Sequence, residues 1–93
     1  MILSFHDKET DGLFNGGRGD RKWRGFTRVA RRKLLLLDAV NGLHDLKSPP
    51  NNKLEALKAD RLGQHAIRIN DQYWLCFVWK DGNATRVGVT DYH

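Results

Sequence analysis

The chain opens with a short apolar run, Met1-Ile2-Leu3-Ser4-Phe5, bounded by polar residues, which reads as a first strand. Asp7 to Phe14 has the length and composition of a short helix. Asn15-Gly16-Gly17 would end it, because glycine accepts the left-handed cap conformation. Further on, Trp23, Phe26, Ala30, Leu34 and Leu37 recur at the helical period. They predict one longer helix from about Asp20 to Asn41, with Gly42 past its end. From His44 the periodicity lapses. Ser48-Pro49-Pro50-Asn51-Asn52 cannot continue a helix, since proline lacks the amide proton and restricts its predecessor. A loop or short extended segment is therefore expected as far as Gly63. Three strands then follow, His65–Ile69, Tyr73–Trp79 and about Thr85–Tyr92. Asn70-Asp71-Gln72 and Asp81-Gly82-Asn83 are the turns, the second carrying the stronger hairpin signal. The order β-α-α-β-β-β predicts an α+β fold, an antiparallel sheet with two N-terminal helices packed on one face.

Ninety-three residues make a single domain, 1–93, with little room for a second core. A chain of this size buries roughly 60–70% of its unfolded surface, so aromatic residues must supply much of a thin core. The net charge of +5 suits a nucleic acid or an acidic protein as partner, and charge alone does not separate them. Cys76 is the single cysteine, which rules out an intramolecular disulfide and fits a reducing cytoplasm. No apolar run approaches a membrane span, and no charged start leads into a secretory-type apolar segment.

Charge is concentrated on the second helix. Arg21, Arg24, Arg28, Arg31 and Arg32 fall within an arc of roughly 100°, clear of the Trp23–Leu37 stripe. Like charges three and four residues apart repel by about 0.2–0.5 kcal/mol per pair. Such a face is either simply solvated or meets a polyanion, whose phosphates arginine can grip in bidentate fashion. Leu35 and Leu36 lie off the core stripe. They are either covered by the Ser48–Asn52 loop or exposed as a docking surface for a protein partner.

The last strand carries the candidate chemistry. Val87 and Val89 share one face, and the two-residue period continues it to Asp91 and His93, with Tyr92 opposite. A carboxylate, a phenol and an imidazole thus meet at one strand tip. Read on its own, the tip is either a polar chain end or a proton-handling cluster, since an imidazole titrates near pH ~6.5 and shifts readily. Cysteine–histidine spacing of the zinc-site kind, a Gly-rich phosphate loop and a nucleophile-elbow serine are all missing from the sequence. His65 shares parity with Ile67 and Ile69, which predicts a partly buried, hydrogen-bonded ring. His6 and His44 have no constellation around them and read as surface residues.

Lys53-Leu54, Leu57-Lys58, Asp60-Arg61 and Gly63 precede the strand His65-Ala66-Ile67-Arg68-Ile69. Together with the opening Met1–Phe5 and the closing Asp-Tyr-His, these residues resemble the HigB branch of the RelE superfamily, bacterial toxins that cleave messenger RNA on the ribosome. The resemblance spans most of the chain and implies the RelE layout of sheet and helices. It implies that His93 is the general acid or base, that Asp91 orients or charges it, and that Tyr92 stacks on a base or binds a phosphate. Glu55 stands where some members carry a histidine. It is then either a proton-transfer group or a surface glutamate pairing with Lys53 or Lys58. Lys58 and Arg61 match the family's phosphate-binding segment, and the loop from Lys53 to Arg61 would hold the scissile phosphate. Trp74 follows Tyr73 where many members place an arginine. Arg68 on the preceding strand would supply the missing charge, and Trp74 would either stack on a nucleobase or pack. Arg24, Arg28 and Arg31 would grip ribosomal RNA. No cofactor or metal is implied. The implied partners are a HigA-type helix-turn-helix antitoxin, the ribosome and messenger RNA, with promoter DNA reached only through the antitoxin, no membrane, and a bacterial cytoplasmic location. The alternative is a catalytically weak or inactive ribosome- or RNA-binding module acting mainly through its antitoxin complex.

Overall fold

Asp7 caps the first helix, α1 (Lys8–Phe14), by accepting the Thr10 amide at 2.7 Å. The computed structural model describes residues 1–91, and Tyr92 and His93 lie outside the described residues. The long second helix expected from Asp20 to Asn41 is divided. A 3₁₀ turn, Arg21–Phe26, leads into α2 (Thr27–Ala39). The break falls at Gly25, a poor helix former, and at Phe26, whose φ of −140° is not helical. This change of direction lets Trp23 bury to 5% exposure while Phe26 packs in a tilted pair with Tyr73, ring centroids 4.8 Å apart.

The sheet is antiparallel throughout, in the order β1 (Glu55–Ala56), β2 (Gln64–Arg68), β3 (Tyr73–Lys80), β4 (Asn83–Asp91). Asp81 and Gly82 both take positive φ in the β3–β4 turn, the combination that matches the twist of a tight hairpin. Met1–Phe5 is not a full strand. It runs parallel to β4 and pairs with it at the bridges Ile2–Ala84 and Phe5–Val87. Between those bridges β4 is bulged, which interrupts the ladder. The segment expected as loop, His44 to Gly63, contributes β1 and three short 3₁₀ turns.

The two sheet faces differ. Ile67, Leu75, Phe77, Val87 and Val89 pack against Leu13, Ala30, Leu34 and Leu37 of the helices, forming the main core. On the far face a smaller cluster joins Leu57, Ala66 and Cys76, with Trp74 against it. Two polar fixings hold the layers in register. Thr10, fully buried, accepts the Val89 amide at 3.1 Å, so α1 covers the outer edge of β4. Asn52, also fully buried, donates to the carbonyls of Leu46 and Ser48 and accepts from the Lys33 ammonium of α2. Burial, with Arg32 and Arg68 nearby, holds the Lys33 ammonium below its ordinary pKa of 10.5.

Candidate functional site

The register of the sheet aligns the residues singled out from sequence. Arg68 pairs with Trp74, and Trp74 with Thr90, so these three form one row on the face away from the helices. The adjacent row runs Glu55, Ala66, Cys76, Gly88. Side chains opposite each other in an antiparallel pair project to the same side, so Glu55, Arg68 and Trp74 share one surface. Arg68 is engaged there by an ion pair with the fully exposed Asp71. A pair of this kind is worth about 0–1 kcal/mol, little enough for a phosphate to compete with it.

A cleft of about 400 Å³ opens beside these rows. Arg61 and Gln64 form one wall, joined by a long 3.5 Å hydrogen bond. His6 and Asp7 form the other, and Asp91 and Arg86 also line it. Asp91 accepts a 3.0 Å hydrogen bond from Gln72, which steadies the carboxylate at the strand's end. Cys76, Gly88 and Thr90 supply the floor. Burial pushes the Cys76 thiol up, with a Thr90 hydrogen bond and the Arg61 charge opposing it, so the sulfur stays protonated at neutral pH.

Of the predicted residues, Arg61 and Asp91 meet in this cleft, and Arg68 and Trp74 stand together on the adjoining surface. Glu55 is exposed at the edge of that same surface, close enough for its charge to act on Cys76, and also borders a groove with His44, Lys47 and His65. Lys53 and Lys58 are exposed. The basic helix is on the opposite layer, and it is not one uniform face. Arg24 lines a hollow with Arg18 and Arg21, and Arg28 is exposed. Arg31 is committed to structure, because its guanidinium ties the carbonyls of Leu13 and Gly17 to α2. Tyr92 and His93 lie outside the described residues, so the tip is represented by Asp91. Leu36 is partly covered, beside Pro49 and Asn51, while Leu35 remains 53% exposed.

Two histidines match their expected burial but differ in their surroundings. His65 is half-buried, as expected, and stacked on Phe77 at 6.2 Å, but among the described residues its buried Nδ1 has no hydrogen-bond partner. His6 is exposed, as expected, but it is not isolated, since it lines the cleft with Arg61 and Asp91. His6 and Arg86 were missed because the bridge beside β4 brings in residues some 80 positions away. The one local signal was the spacing Ala84, Val87, Val89, an odd interval in an alternating strand.

The fold is one seen in solved toxins. The chain superposes on the YoeB-YefM complex from Staphylococcus aureus with a TM-score of 0.56, covering 100% of this chain and 98% of that one at 15% identity. The YoeB/ParE toxin from Agrobacterium tumefaciens gives 0.51, covering 99% and 94% at 16% identity. Those likenesses define a RelE-type toxin fold. The family model for the RelE-like toxin of type II toxin-antitoxin system HigB matches residues 3–93. Toxin HigB-1 of Vibrio cholerae is 38% identical over 85 residues, 90% of either chain. An uncharacterized protein of Haemophilus influenzae is 35% identical over 60 residues, 64% of this chain and 59% of its own. The chain belongs to the HigB-like toxin family.

Proposed function

We propose that this toxin is an endoribonuclease that cuts messenger RNA within the translating ribosome in the bacterial cytoplasm, by acid–base chemistry without a metal. The supporting observation is the juxtaposition of the Arg68–Trp74–Thr90 row with a cleft that holds Arg61 and Asp91. Strand scission by the ribose itself needs a base for the 2′-hydroxyl proton, an acid for the departing 5′-oxygen, and cations for the doubly charged transition state. Arg61 and Arg68 are the cations, aided by Lys53 and Lys58 on the approaching segment. Asp91 orients the proton-transfer group at the tip, which is His93. Tyr92 contacts the base or phosphate, Glu55 is the second proton-transfer candidate, and Trp74 offers a stacking platform. Arg24 and Arg28 hold ribosomal RNA on the other layer. A HigA-type helix-turn-helix antitoxin restrains the toxin and carries it to promoter DNA. Among the described residues no helix is long and apolar enough to cross a membrane.

Primer extension on translated messages tests the reaction. His93→Ala should lower cleavage about 10²–10⁴-fold, the span of acid–base catalysis; equal cutting by both proteins refutes the assignment. A second reading is a binding module without chemistry. The packing of Trp74 on Leu57, Ala66 and Cys76, at the position where the resemblance implies an arginine in many members, favours it. It requires salt-sensitive ribosome binding with no cuts while translation runs.

A further inference from the structure

The far end of the cleft has a construction that the proton transfer proposed at the strand tip does not use. Phe77 faces two residues of β4, because Val78 pairs with Thr85 and Cys76 with Gly88. Arg86 is the extra residue of this bulge. It keeps Ala84 and Val87 both turned into the core and aims its own side chain at the cleft. Its φ of +52° is the left-handed conformation that L-residues disfavour. That geometry is fixed from outside, by Ser4, which accepts the Arg86 amide on its hydroxyl at 3.0 Å and the Val87 amide on its carbonyl at 3.1 Å. Among the described residues the Arg86 guanidinium makes no hydrogen bond or ion pair. A strained residue whose charged head makes no bond among the described residues has that head available to a group from outside.

The neighbouring floor brings a carboxylate to the same end. Gly88 is buried in mid-strand, where the missing side chain lets another segment, here His6 and Asp7, approach closely. A Cβ there would lie 3.1 Å from the His6 Cβ and 3.6 Å from Asp7 Oδ2. Asp7 uses Oδ1 to cap α1 and turns Oδ2 toward this point.

We propose that this end of the cleft seats a ribose-phosphate unit next to the one that is cut, with Arg86 on its phosphodiester and the Asp7 carboxylate facing a ribose hydroxyl. His6 stands over the sugar. The proposal rests on the ribonuclease reading and adds a second contact to it. A guanidinium matches a phosphate in bidentate fashion. A carboxylate oxygen accepts from the 2′-hydroxyl, the group that distinguishes RNA from DNA. An acidic peptide would satisfy Arg86 too, but Asp7 and Asp91 would repel it, so the mixed lining favours a sugar-phosphate. The cleft's size is within the range of small-ligand sites.

The test uses the full chain, an uncleavable RNA oligonucleotide carrying a single 2′-deoxy sugar at the cut position, and its all-deoxy counterpart. Arg86→Asn keeps a residue tolerant of positive φ and removes the charge. It should weaken RNA binding about 10–100-fold, as loss of a charge-assisted hydrogen bond does, with partial recovery in Arg86→Lys. Amide shifts on RNA titration should centre on Arg86 and Gly88 in the wild type, and the all-deoxy strand should bind more weakly. Gly88→Ala, which narrows the floor without touching charge, should show the same loss and covers the case of an unfolded Arg86→Asn. Unchanged RNA binding and ribosomal cleavage in both variants overturns the seat while leaving the reaction intact. Lost antitoxin binding with RNA binding unaltered overturns it as well, and makes the cleft a protein surface. A wild type that never cuts messages but shows the Arg86-dependent titration defeats the nuclease reading and keeps the seat.

Discussion

Replacing Asn52 with alanine removes the fixing that holds residues 43–62 against α2. The side chain is fully buried and makes three contacts, two donated to the Leu46 and Ser48 carbonyls at 3.1 and 3.2 Å and one accepted from Lys33. A neutral hydrogen bond contributes about 0.5–1.5 kcal/mol and one to a charged group about 1.5–3 kcal/mol, with further cost for partners left buried. The expected loss is therefore about 3–5 kcal/mol, a large share of the ~5–15 kcal/mol that stabilises a domain. In a chain this short each kcal/mol lowers Tm by about 4–8 °C, so a fall of at least ~12 °C is expected by circular dichroism. Lys33 adds a pH signature. Its folded pKa is below 10.5, so the unfolded chain binds more protons, and stability rises with pH between the folded value and 10.5. Without its acceptor the ammonium is still less favourable. The gap between variant and wild type should then narrow as pH rises into the alkaline range. A stability loss under about 1 kcal/mol, or a gap that widens with pH, would refute this account of the clip.

Trp74→Ala should lower message cleavage by the equivalent of about 1–3 kcal/mol, the worth of one base-stacking platform, while Trp74→Phe keeps most of it; primer extension reads both. Arg68→Ala should cost about 0–1 kcal/mol in stability, since its partner Asp71 is fully exposed, yet weaken cleavage at least tenfold. Asp71→Ala should not weaken cleavage, and a parallel loss in both variants would identify the pair as structural. Arg31→Ala should lower stability by about 1–3 kcal/mol in urea titrations through its contacts to Leu13 and Gly17, with salt-dependent ribosome binding little changed.

Local pattern determined most of the elements. The alternation in β2, β3 and β4, the Asp81-Gly82 turn and the stripe through Ala30, Leu34 and Leu37 are all short-range signals, and each became the element expected. The resemblance of the Lys53–Arg61 segment and the chain's end led to the family. Helix continuity across Gly25 was expected because Trp23 and Phe26 keep the helical period; the break falls at a poor helix former and lets both rings pack.

The site was legible in part. Arg68 and Asp91 could be placed on a face by strand parity, whereas Arg61 and Trp74 were singled out by the resemblance to the family. Arg31 could not be removed from the basic group by its sequence, since its carbonyl partners lie 14 and 18 residues away. Buried Lys33 with Asn52, and His6 with Arg86 across the same cleft, are likewise long-range pairs. Periodicity reports which way a side chain points from its own element. It carries no information on what the chain later brings opposite, and that was decided only by the pairing of the N-terminal segment with β4 and the closing of the 43–62 loop over α2.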